Sequence, residues 1–142
     1  MNETTELLHF IVQNAQMGKD TIRHLRTLVK DLEFDAFLRG QLRIYNATFD
    51  KAAELLEEQQ ESVEKVGLWD TMSSHVMINI NTLLDKTPPH IAEMMMQGSV
   101  MGIIDLIKKQ KEFPHASETA KELAGELLRF EEESMEKLKA YL

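Results

Sequence analysis

Residues 8–32 read LHFIVQNAQMGKDTIRHLRTLVKDL, and the spacing within them decides the fold. Leu8, Ile11, Ala15, Gly18, Ile22, Leu25, Val29 and Leu32 recur at alternating steps of three and four, over more than three heptads. That is the period of an α-helix with one apolar stripe. Asn2 stands where a cap is needed, and Glu3 and Glu6 fall in the first turn, where the helix dipole favours negative charge. Outward along the chain, Glu33-Phe34-Asp35 offers a short connection, with Asp35 the expected cap of a second helix. There Leu38, Leu42, Tyr45, Phe49, Ala52, Leu56, Gln59, Val63 and Val66 keep the alternation until Gly67 supplies a stop. Two helices of about 30 residues, each about 45 Å long, joined by a short turn must form an antiparallel hairpin.

The segment from Trp69 to Lys86 is shorter, with Met72, Val76, Ile80 and Leu83 on one stripe. Thr87-Pro88-Pro89-His90 opens the next helix, because proline at the first helical position loses no hydrogen bond. This helix should run to Glu112 and break at Pro114. Ser117 then caps a last helix with Ala120, Leu123, Leu127, Phe130, Leu138 and Tyr141 inward. A connecting helix of roughly 17 residues spans about 25 Å and would carry the chain most of the way along the bundle. The second and third long helices would then run parallel; a kink at the prolines would instead give an up-down-up-down bundle. The crossover is the expectation.

Composition agrees. The chain has 142 residues, 43% hydrophobic and 28% charged, with 6 Gly and 3 Pro, which suits one all-α domain over residues 1–142. With no cysteine, a disulfide framework, a thiolate metal site and a cysteine nucleophile are excluded. A net charge of −8 is a poor match for a nucleic-acid backbone. The longest uncharged stretches, residues 71–84 and 94–104, fall short of the roughly 18 residues of a membrane helix. The acidic N-terminus lacks the positive region of a signal peptide. A soluble, cytoplasmic protein is expected.

Two long helices, a crossover beginning Gly67-Leu68-Trp69, the run His90-Ile91-Ala92-Glu93-Met94-Met95-Met96-Gln97-Gly98-Ser99 and the ending Leu138-Lys139-Ala140-Tyr141-Leu142 resemble small bacterial members of the ferritin-like superfamily. The resemblance implies a ferritin-like four-helix bundle with a helical crossover between the second and third long helices. Metal-binding members carry inward carboxylates at mid-bundle and Glu-x-x-His on two helices. Relatives tend to have an acidic residue just after the glycine equivalent to Gly98; this chain has Ser99.

The residues give that chemistry little to work with. Glu6-Leu7-Leu8-His9 is the only Glu-x-x-His and lies in the first turns. The inward mid-helix positions are expected to be Gly18, Ile22, Phe49, Ala52, Gly98, Met101, Leu123 and Leu127, none of which ligates a hard ion. Under the crossover topology His24, His90, Glu93 and Glu132 share one pole and are the candidate metal ligands, with His90 and Glu93 three apart on one face. No cofactor is expected; iron or manganese would follow if those four formed a site. Met94 to Met96 and Met101 combine with Ile91, Val100, Ile103, Ile104, Leu106 and Ile107 to make the Pro88 helix apolar nearly all round. Such a helix needs cover on more than one side. Met95, Met101, Ile104 and Leu106 are therefore the expected interface of a homodimer or of a contact with another protein. The leading expectation is a non-enzymatic bundle acting by protein contact, and the alternative a metal-binding or oxidase protein.

Overall fold

The computed structural model describes residues 2–61 and 84–142. They form four long helices and no strand: α1 (Glu3–Arg26), α2 (Leu32–Glu58), α3 (Pro88–Glu112) and α4 (Glu118–Leu138), closed by a 3₁₀ turn (Lys139–Tyr141). Asn2 caps α1, its Oδ1 accepting from the Thr5 N–H at 2.8 Å, and Ser117 caps α4 through the Ala120 N–H at 3.2 Å. At the head of α3 the Thr87 hydroxyl bonds Asp85 instead of capping, and Pro88 needs no cap at all.

Three helix ends differ from the sequence expectation. α1 stops at Arg26 rather than Leu32, and Leu32 is 85% exposed as the first residue of α2. The cap of α2 is Asp31 rather than Asp35, because Asp31 accepts from the Phe34 N–H at 2.7 Å. Asp35 instead sits in the first turn of α2, where Arg26 donates to it at 2.9 and 3.3 Å and ties the two helices across the turn. α2 ends at Glu58, well before Gly67. Gln60 takes a left-handed φ of 59°, and the Gln60 and Glu61 N–H groups bond the Glu57 and Leu56 carbonyls, each at 2.9 Å. This is a Schellman ending formed without glycine.

Contacts between helix ends give their directions. The Thr4 hydroxyl accepts from the Ser117 N–H at 2.9 Å, so α4 starts where α1 starts. Tyr141 packs on Phe34 and Phe37, with ring centroids 4.6 and 5.4 Å apart, so α4 ends where α2 begins. Lys109 near the end of α3 lies 5.8 Å from the ring centroid of Phe10 near the start of α1. Hence α1 and α4 run one way and α2 and α3 the other; the chain leaves α2 at one end of the bundle and enters α3 at the opposite end. The connecting helix expected over Trp69–Lys86 lies outside the described residues except for Leu84, Asp85 and Lys86, which are not helical.

The core follows the apolar stripes. Leu8, Ile11, Ala15, Ile22 and Leu25 of α1 pack with Leu38, Ala52 and Leu56 of α2, and with Leu123, Leu127 and Leu138 of α4. On α3 the inward residues are Ile91, Ala92, Gly102 and Leu106. Gly98 and Met101, expected inward, face out instead.

Candidate functional site

The middle of the bundle holds a polar layer in which each helix supplies a member. Glu131 of α4 is only 3% exposed. The Tyr45 hydroxyl of α2 donates to Glu131 Oε1 at 2.8 Å, and the Ser99 hydroxyl of α3 also favours the charged form of this carboxylate. Gly102 of α3 leaves room beside it: a Cβ there would stand 3.7 Å from Glu131 Oε1 and 3.5 Å from Asn14 Nδ2 of α1. Asn14 is itself buried, 7% exposed. Along α4, the Ser134 hydroxyl lies 2.8 Å from both Gln41 Oε1 and the Phe130 carbonyl oxygen. The Tyr45 ring meets Phe130 edge-on at 5.0 Å and occupies the space that a side chain at Gly18 would need.

Burial pushes the Glu131 carboxyl up to about 7, against the opposing pull of the Tyr45 and Ser99 hydroxyls on its charged form. Burial, and then the neighbouring carboxylate, raise the Tyr45 phenol well above its ordinary value. Chemically the layer is a single carboxylic acid poised to hold or release one proton near neutrality. A hard divalent cation takes several carboxylate or imidazole donors. This layer offers one carboxylate and no imidazole.

The metal candidates sit elsewhere. His24 is half-buried near the end of α1, and His90 and Glu93 lie at the start of α3, at the same end of the bundle. His90 Nδ1 and Glu93 Oε2 are 4.0 Å apart on a partly exposed surface. Glu132 is exposed: one residue beyond Glu131, it is turned about 100° away from the core. Among the described residues no group of three or more His, Asp or Glu side chains is arranged to hold a metal ion. Glu6 and His9, the Glu-x-x-His pair, line a hollow of about 280 Å³ at the opposite end, with Phe10, Lys109 and Phe113 among its other walls.

The remaining feature is the outward face of α3. Met101 is 63% exposed, and Val100, Ile104 and Ile107 are exposed beside it. Leu106, expected in the same interface, is fully buried, because it lies on the inward stripe with Gly102. Met95 is partly buried and packs against the core. From Gln97 to Ile107 no exposed residue of α3 carries a charge, whereas Glu93 and Lys108 bound the stretch.

Sequence reading overlooked Glu131, Tyr45 and Asn14 as a polar layer. The signal was present for Glu131: steps of four and three from Leu127 along the inward stripe land on Glu131 and Ser134, not on Glu132. Compared with family models, curated proteins and solved structures, the chain matches none of them.

Proposed function

We propose that this protein is a non-enzymatic helical bundle of ferritin-like connectivity that works through protein–protein contact, without a dinuclear metal centre, and that its first partner is a second copy of itself. The observation that carries this reading is the exposed apolar stripe Val100, Met101, Ile104 and Ile107 on α3. An apolar stripe whose own residues carry no charge, on a chain of net charge −8, is a surface at which water is readily displaced and like-charge repulsion is low, the half-buried Asp105 being the charge beside it. The ferritin-like element of the reading rests on α2 and α3 running the same way, which demands a connection from one end of the bundle to the other. The polar layer supports a bundle without a dinuclear centre, since its lone acid answers to two hydroxyl groups rather than to further carboxylates.

Met101→Glu tests the reading. The variant is expected to run at half the mass of the native protein by size exclusion with light scattering, with its far-ultraviolet helical signal unchanged. A variant that keeps the native mass would contradict contact through this face.

A further inference from the structure

We propose that two copies dock α3 against α3 in antiparallel, about a twofold axis between Val100 and Met101, so that Glu93 of each copy faces Lys108 of the partner subunit. The inference rests on the reading of α3 as a contact face and adds the partner's orientation and register.

Three observations carry it. The exposed positions of α3 from Glu93 to Lys108 are Glu93, Gln97, Gly98, Val100, Met101, Ile104, Ile107 and Lys108, with an acid at one end, a base at the other and, between them, only the half-buried Asp105 charged at the margin of the face. A twofold contact is self-complementary: if residue i meets residue j, then j meets i. With the axis between Val100 and Met101, those two residues meet across it, Ile104 meets Gln97, Ile107 meets the half-buried Met94, and the acid meets the base at both ends. Parallel packing would instead set Glu93 against Glu93 and Lys108 against Lys108 of the partner subunit. Finally, a Cβ at Gly98 would meet nothing within 4 Å among the described residues. Glycine in an exposed helix interior weakens the helix, and no described neighbour requires it there. Beside Met101 it lets a second helix come close. The face from Glu93 to Lys108 is about 22 Å long and its apolar stripe only about 10 Å, so the contact falls at the small end of stable interfaces and should dissociate on dilution.

The absence of cysteine makes the test clean. Glu93→Cys and Lys108→Cys chains, one of them labelled with ¹⁵N, are mixed in equal amounts in a glutathione redox buffer, and the disulfide-linked pairs are weighed by mass spectrometry. Antiparallel docking predicts mixed pairs well above the statistical half. Addition of Met101→Glu to both chains should return the mixture to that half. A dimeric protein that yields mostly like-with-like pairs would overturn the register while leaving α3 as the contact face. Statistical pairing from a protein that sediments as a monomer would overturn both. So would a monomer whose unfolding midpoint falls on Met101→Glu, since that assigns the stripe to another part of the same chain.

Discussion

At the residue scale, the structure turns on how Tyr45 reaches Glu131. A methyl at Gly18 would lie 2.5–2.7 Å from three atoms of the Tyr45 ring, so the ring occupies space that only glycine leaves open. Gly18→Ala should therefore lower stability by about 1–2 kcal/mol in urea unfolding, because overpacking outweighs the better helix propensity of alanine. An unchanged or higher midpoint would mean that the ring is free to move aside. Glu131 gives the bundle a pH dependence of definite sign. Its folded-state pKa of about 7 lies above the ordinary value of 4.5, so the native state holds a proton that the unfolded chain has already released. Stability from this group is full below about pH 4.5, falls as pH rises, and levels off above about pH 7, a loss on the order of 3 kcal/mol. Glu131→Gln should flatten that slope and leave the protein more stable than the native chain on the alkaline side. A slope that survives the substitution would place the titration elsewhere. Asp35 acts in a different window: the Arg26 guanidinium that donates to it holds its carboxyl below the usual range, so its contribution is lost only as pH falls further into acid.

At the element scale, the four helices and their inward stripes were legible in the sequence, because a 3–4 alternation sustained over twenty residues fits no other regular structure. Helix ends were less so. Asp31 and Asp35 are both good caps by residue type, and only the geometry of the α1–α2 turn decides that Asp31 bonds the Phe34 N–H while Asp35 pairs with Arg26. The end of α2 was hidden for a related reason. Gly67 has the residue type of a helix stop, but the backbone turns left-handed at Gln60, a residue with no special preference for doing so. That position makes a prediction. Gln60→Gly should raise stability by about 1 kcal/mol by relieving a Cβ in the left-handed region, read as a higher urea midpoint. A fall would show that the Schellman ending at Glu61 does not persist in solution. On α3 the sequence was ambiguous because apolar residues surround the helix; with no polar side to orient it, Leu106 and Met101 could not be assigned to opposite faces without the packing of Gly102 against Asn14 and Glu131.

At the scale of the whole molecule, α1 and α4 run against α2 and α3, and the polar layer sits at mid-length where all four meet. Its inward members on α3, Ser99 and Gly102, are offset around the helix from the outward Met101 and Ile104 by about half a turn, so one helix serves the core and the surface at once. No helix among the described residues is long and apolar enough to cross a membrane. The central claim is that this stripe joins two copies, and sedimentation equilibrium of the native chain over a wide concentration range tests it most directly. The expected result is a mass of twice 16.4 kDa at high concentration, declining toward 16.4 kDa on dilution. A single species of 16.4 kDa at every concentration would contradict it.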